Sequence, residues 1–416
     1  MTTAPAEKVL RTTTEIGKSV RAYYNAVQEA KKEGKPVIWC FGLVPREIFN
    51  AVGAPVIYLE HFPILISSKQ LSGKYCEVAE GIGFARDLCA FHTCFIGCAA
   101  AEERDPYVER IFAPPDIIVA SNLPCMSESK SFLYLASQFN CPYFFLDVPL
   151  NTWGENVPDH AMEYCGSQLE GLFSFLSEYG YKMDEDKLKQ TMALSGKAYR
   201  LWDEINTYRY AIPSPMGFAD GINACFPLIQ LPGTELAVEL YEKLRDELKE
   251  RVDNKLGVVA GEEKLRLFWF GVPPMYNLGL LNYPERYGAV LVGGSIEYTL
   301  GGGIKAEVFD PSKPVETLVK KCIMEVINPS YDAVIDFTVE RVKDFKVDGV
   351  IAVNKRGCRL LPGPLRRLKD ALWEQYGIPS TIFDLDGLDL RDYDDARVKA
   401  NIDSFIETLL SAKGRS

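Results

Sequence analysis

Residues 36–60 read PVIWCFGLVPREIFNAVGAPVIYLE. An apolar run, PVIW, meets a Phe-Gly turn. A proline then opens a helical stretch that Gly53 closes, and PVIYL is a second apolar run. Short apolar runs without alternation fit strands buried on both faces, as in a parallel sheet covered by helices. Residues 264–294, KLRLFWFGVPPMYNLGLLNYPERYGAVLVGG, repeat the plan: strand, Trp, Phe-Gly turn, Pro, helix, Gly, strand. A second pair of segments matches in the same order. DIIVASNLPC (116–125), a helix and CPYFFLD (141–147) parallel VDGVIAVNKRGC (347–358), a helix and IPSTIFD (378–384). In each copy a strand runs into a loop ending in cysteine, Cys125 or Cys358. A helix then leads to Pro142 or Pro379, with Asp147 or Asp384 five residues later. The expected class is α/β, with two doubly wound parallel-sheet domains related by internal repeat.

Around this frame, 8–32 reads as an N-terminal helix ended by Gly34 and Pro36. Residues 75–100 read as a helix interrupted by Gly81, Gly83 and Gly97, and 159–208 as two connecting amphipathic helices. The Pro- and Gly-rich stretch 212–233 is the candidate boundary, giving 1–210 and 211–416. Open parallel sheets bind ligands beyond the carboxyl ends of their strands. Cys125 and Cys358 both sit there, one per domain, so facing domains are expected to hold a metal centre between them. Helix N-termini nearby favour thiolate over thiol.

The chain has 416 residues, 47% hydrophobic and 25% charged, with a net charge of −11. The acid excess argues against nucleic acid or an anionic membrane surface as the main partner. No apolar run reaches the roughly 18 residues of a membrane span, and MTTAPAEKVLRTTTEIGKS lacks the apolar core of a signal peptide. A cytoplasmic location is therefore expected, where the 11 cysteines point to buried thiols or metal ligation rather than disulfides.

Cys141, Cys165 and Cys225 read as small apolar filler, and Cys76 as filler ahead of ligand. DLCAFHTCFIGCAA (87–100) carries Cys89, Cys94 and Cys98 with His92 between them. On a regular helix Cys94 and Cys98 share a face while Cys89 lies opposite Cys98, so one ion takes all three only if the helix breaks. The spacing matches neither a zinc knuckle nor a bacterial ferredoxin. Cys40 ends strand PVIW at a ligand position, and its counterpart is Phe270; ligand and filler both stay open. Cys322, in TLVKKCIMEVI, reads as a buried helix position.

Other motifs carry less. GGSIEYTLGGGIK (293–305) offers backbone amides to an anion but has no GxxxxGK[ST] order, and no GxGxxG occurs; a sharp turn is the plainer reading. Glu60 and His61, just past strand PVIYL, are candidates for acid/base chemistry or an exposed loop pair. Lys355, Arg356 and Arg359 flank Cys358, either to screen an anionic cluster, to meet an acidic partner, or as a solvated loop.

PVIWCFGLVPREIFNAVGAPVIYLE, YCEVAEGIGFARDLCAF, PDIIVASNLPC and VDGVIAVNKRGC together resemble the marker segments of the 2-hydroxyacyl-CoA dehydratase / benzoyl-CoA reductase superfamily, in matching order over most of the chain. The resemblance implies two doubly wound domains with a [4Fe–4S] cluster between them, held by Cys89, Cys125 and Cys358, with one iron open. It also implies reduction by a separate homodimeric [4Fe–4S] activator that hydrolyses ATP, and it matches Glu60 to a glutamate near the active centre. The chain departs from that pattern at Cys40, where dehydratase subunits commonly carry serine, and in having Cys94, Cys98 and Cys322. Extra thiolates suit a second cluster, so the chain most resembles the double-cubane cluster branch, homodimers that reduce small molecules. Its second cubane would take Cys40, Cys322 and one of Cys94 or Cys98. The expected activity is thus an activator-fed iron–sulfur reductase. The alternatives are a one-cluster dehydratase or aryl-CoA reductase subunit with Glu60 as base, and a non-catalytic metal-binding protein.

Overall fold

In the computed structural model, which describes residues 10–414 except 43, 126–127, 300–302, 327, 329 and 359, the apolar runs become eight parallel strands. The first sheet contains β1 (Ile38–Phe41), β2 (Val56–Tyr58), β3 (Ile117–Ser121) and β4 (Tyr143–Leu146) in the order β2-β1-β3-β4. The second contains β5 (Leu265–Phe270), β6 (Ala289–Gly294), β7 (Gly349–Asn354) and β8 (Ser380–Asp384) in the equivalent order β6-β5-β7-β8. The internal repeat is therefore a repeat of topology. Each sheet has one switch point, between β1 and β3 or between β5 and β7, where successive connections leave in opposite directions and open a crevice.

Local signals act as read at several helix ends. Gly53 and Gly288 close the crossovers with φ of 68° and 74°, a left-handed conformation that a Cβ would strain. The stretch 75–100 breaks into helices Ser72–Gly81 and Ala90–Ala100, with Cys89 as the N-cap residue of the second. Gly97 has another purpose. A Cβ there would stand 1.7 Å from the Tyr75 carbonyl oxygen, so glycine is what lets these two helices cross in contact. The N-terminal helix Arg11–Lys32 has no cap of its own; Glu247, from helix Glu235–Asp253, accepts the Arg11 and Thr12 N–H groups at 2.7 and 2.9 Å.

Two buried cores follow from the period-2 alternation of β1. Ile38 and Cys40 face an outer core shared with helices Asp159–Glu178, Glu185–Arg209 and Pro314–Met324. Trp39 and Phe41 face a second core that runs through the helices at 72–100 into both faces of the second sheet. Helix Pro314–Met324, from the second half of the chain, thus packs on the first domain. The stretch 212–233 is no open linker: it forms helices Phe218–Ala224 and Phe226–Gln230, mostly buried. The division at 210/211 remains a proposal drawn from connectivity. No helix among the described residues is long and apolar enough to cross a membrane.

Candidate functional site at the strand carboxyl ends

The loops that leave β3 and β7 at the two switch points carry Cys125 and Cys358. After β3, the Ser121 hydroxyl donates to the Leu123 carbonyl at 2.7 Å, bending the chain toward Cys125. After β7, Gly357 adopts a φ of 71° and lies so close to Asp87 and Leu88 that a Cβ would come within 2.7 Å of the Leu88 backbone. This contact seats the Cys358 loop on the residues just before Cys89. The two thiols are near enough that Cys89 acts on Cys358. Burial first, and then Cys89, push the Cys358 thiol up, against the Leu361 N–H and Lys355, which draw it down. The Leu361 N–H lies 3.5 Å from the Cys358 Sγ.

Lys355 sits between these groups. Its Nζ donates to the Cys89 Sγ at 3.5 Å and lies 3.5 Å from an Asp386 carboxylate oxygen, and its side chain is 1% exposed. Burial alone would lower this ammonium, but Cys89, Asp386 and Cys358 together hold it above the usual lysine range. Arg356 lies further out, paired with Asp392. Arg359 is outside the described residues.

Across the first switch point, Glu60 is 9% exposed. Its Oε1 accepts the Gly42 N–H at 2.8 Å and pairs with Arg46 at 2.9 Å. Its Oε2 is buried with no hydrogen-bond partner among the described residues. The second sheet repeats the turn without the acid: Gly271, which follows β5, donates its N–H to the Ser295 hydroxyl at 2.9 Å. A neutral hydroxyl fills the equivalent place in the second sheet, so the turn itself does not require a carboxylate. His61 is different. Its Nδ1 is 3.1 Å from the Tyr24 hydroxyl, its ring packs on Tyr24 and Phe226, and burial, then Arg46, lower it to about 3. His61 is therefore a neutral packing residue near pH 7.

The other cysteines are dispersed. Cys94 and Cys98 share a helix face, as their spacing requires, and lie in the Trp39 core. Burial first, then the Cys98 thiol, hold Cys94 well above the ordinary thiol range. Cys76 joins them, accepting the Thr93 hydroxyl at 3.3 Å. Cys40 lies on the opposite face of β1. Cys322 is in that outer core too, where burial and the Cys165 thiol raise it well above its usual value. The body of the first sheet thus separates Cys40 from Cys94 and Cys98. Among the described residues no three His, Cys, Asp or Glu side chains converge closely enough to bind a single metal ion.

Sequence reading alone missed several buried ion pairs, of which two join distant parts of the chain away from the cysteine loops. Glu47 binds Lys321 at 2.6 Å and Ser195 at 3.0 Å, tying helix Pro314–Met324 to the first domain. Arg209 and Glu297, both fully buried, meet at 2.8 Å, and Glu297 also accepts the Gly294 N–H at 2.8 Å. Glu297 lies inside the glycine-rich stretch read as a possible anion cradle. The protein's own carboxylate takes that amide, while 300–302 lie outside the described residues. No spacing rule pairs residues so far apart; the only sequence signal was a charged residue inside an apolar segment.

Residues 42–409 match the family described as 2-hydroxyglutaryl-CoA dehydratase, D-component. The (R)-phenyllactyl-CoA dehydratase alpha subunit of Clostridium sporogenes is 26% identical over 388 residues, covering 92% of each chain. The (R)-2-hydroxyisocaproyl-CoA dehydratase alpha subunit of Clostridioides difficile is 25% identical over 394 residues, covering 94% of each. A benzoyl-CoA reductase subunit from Thauera aromatica is 25% identical over 354 residues, covering 82% of this chain and 80% of its own. Because that family model spans most of the chain, the chain belongs to the 2-hydroxyglutaryl-CoA dehydratase D-component family.

Proposed function

We propose that this chain is the cluster-bearing subunit of an electron-activated enzyme acting on a CoA thioester, of the 2-hydroxyacyl-CoA dehydratase kind. The observation that carries the reading is the gathering of Cys89, Cys358 and Lys355 at one switch point, with Cys125 in the equivalent loop of the other sheet. These thiols fit a [4Fe–4S] cubane. Each thiolate of a cubane binds a different iron, so its ligands stand further apart than those of a single ion, consistent with the lack of a mononuclear site among the described residues. When bound, such a cluster supplies one low-potential electron to the substrate carbonyl. Glu60 is the base: Gly42 and Arg46 hold Oε1, leaving Oε2 to take a proton from the substrate. A separate ATP-hydrolysing activator is the proposed electron donor, as membership of the dehydratase family implies. The relatives are named as subunits, which supports a partner subunit in the working enzyme.

The double-cubane reading needs Cys40, Cys322 and Cys94 or Cys98 at one place, and their dispersal between two cores favours a single cluster. Anaerobic iron and acid-labile sulfide analysis tests this. About four irons per chain supports the proposal, about eight restores the double cubane, and a colourless zinc protein overturns both. Water loss from a 2-hydroxyacyl-CoA, driven by a low-potential donor, is the expected activity. Reduction of an aryl-CoA instead would move the chain to the reductase side of the family. Glu60→Gln keeps the iron and lowers turnover roughly 100-fold or more.

A further inference from the structure

Each switch-point loop carries its cysteine four residues after the end of its strand, but only one carries a cation. Three residues before Cys358 stands Lys355; three residues before Cys125 stands Asn122, whose amide binds Val148 of the neighbouring segment at 2.8 and 2.9 Å. Loop shape therefore does not require a lysine. Burying one is costly unless it has partners, and here the partners are the Cys89 sulfur and the Asp386 carboxylate. A buried lysine held only for packing would put its ammonium out to solvent; this one points inward to a sulfur.

We propose that Lys355 is a positioning residue that sets the reduction potential of the cluster held by Cys89, Cys125 and Cys358, with Asp386 as the opposing charge; this rests on the cluster assignment above. Adding an electron makes a thiolate-ligated cluster more negative. A fixed positive charge against one ligand stabilises the reduced form more than the oxidised form, and a carboxylate behind it subtracts from that effect. His92, one helical turn from Cys89, adds no competing charge. It is 2% exposed and packs among Phe41, Phe95 and Phe132, an apolar surround that disfavours the charged imidazolium. The asymmetry lies in the chain itself: Lys355 donates to the Cys89 sulfur and acts on Cys358, while the equivalent place in the Cys125 loop holds a neutral amide.

The test is an EPR-monitored redox titration of the anaerobic holoprotein, on wild type, Lys355→Met, Lys355→Arg and Asp386→Asn, each with iron and sulfide analysis. A unit charge 3.5 Å from a ligand sulfur, screened by an effective dielectric of about 20, changes the reduced-to-oxidised ratio at fixed potential by up to roughly a thousandfold. Lys355→Met is expected to lower that ratio by this factor, Lys355→Arg to stay near wild type, and Asp386→Asn to raise it. Equal midpoints in wild type and Lys355→Met at full iron overturn the inference and leave the cluster assignment standing. A Lys355→Arg shift as large as that of Lys355→Met also overturns it, since that marks packing rather than charge. If Lys355→Met loses its iron, the opposite shift of Asp386→Asn still supports the role, and an unchanged midpoint there refutes it. Wild type without a cluster overturns both proposals.

Discussion

Replacing Gly97 with alanine adds one methyl group where the helices at 72–81 and 90–100 touch. The new Cβ would lie 1.7 Å from the Tyr75 carbonyl oxygen and 2.6 Å from its carbon. Real contacts of this kind do not fall below 3.0 Å, so the helices must part by more than an ångström. Overpacking costs about 1–3 kcal/mol when a side chain can yield. Here the obstacle is backbone in the middle of a helix, and both helices are seated in the shared core, so a cost of about 3 kcal/mol or more is expected. In guanidinium chloride, with a slope of about 5 kcal/mol per molar, this moves the fluorescence midpoint down by roughly half a molar. Because Cys89 caps the second helix, the same variant is expected to bind less iron after anaerobic reconstitution. Gly17→Ala is the control: Gly17 is exposed inside helix Arg11–Lys32 with nothing within 4 Å of its would-be Cβ, and alanine there should stabilise by about 0.5–1 kcal/mol. A Gly97→Ala midpoint at or above wild type, or a shift of the same sign and size as Gly17→Ala, refutes the close-crossing account.

Glu297→Gln strands the Arg209 guanidinium in a fully buried site and should cost about 3–5 kcal/mol, read as a lowered denaturant midpoint; a midpoint within a few tenths of a molar of wild type would show the pair to be dispensable. Cys40→Ser should leave iron content unchanged, because Cys40 faces the outer core, and loss of half the iron would place it at a cluster. Burial first, and then Glu47, raise the Glu325 carboxyl to about 7, against Lys321 and Arg46, which draw it down. Its folded value lies above the unfolded carboxyl value of about 4.3, so the native state binds the extra proton between the two. Its contribution is full below the unfolded value and is lost as pH rises through 7. Glu325→Gln should therefore gain stability relative to wild type between pH 5 and pH 8, and parallel pH–midpoint curves for the two proteins would contradict this.

The legible parts of the site were those set by local chain chemistry. Cys125 and Cys358 were placed by the repeat itself, because a strand followed by a loop and a helix has one place where that loop can go. The break that frees Cys89 from Cys94 and Cys98 was written in Gly81 and Gly83. Lys355 was visible beside Cys358, but nothing local says whether a lysine in a loop turns outward to water or inward to the Cys89 sulfur. His61 illustrates the converse: its neighbour Glu60 looked equally eligible, and only the packing of the His61 ring on Tyr24 and Phe226, with Nδ1 against the Tyr24 hydroxyl, separates them.

The order of residues along the chain suffices for the α/β class, for the twofold repeat of strand, crossover and cysteine loop, and for the family. Those depend on period, punctuation and spacing, which are properties of neighbours in the sequence. Which thiols can act together is a matter of packing. The side of a strand that a residue faces, and the helix that covers it, put Cys40 and Cys322 in one core and Cys94 and Cys98 in another. Likewise, Gly357 docking on Leu88 brings Cys89 to Cys358 across well over half the length of the chain. Contacts that distant are set by packing free energy summed over the whole molecule, and no local pattern encodes them.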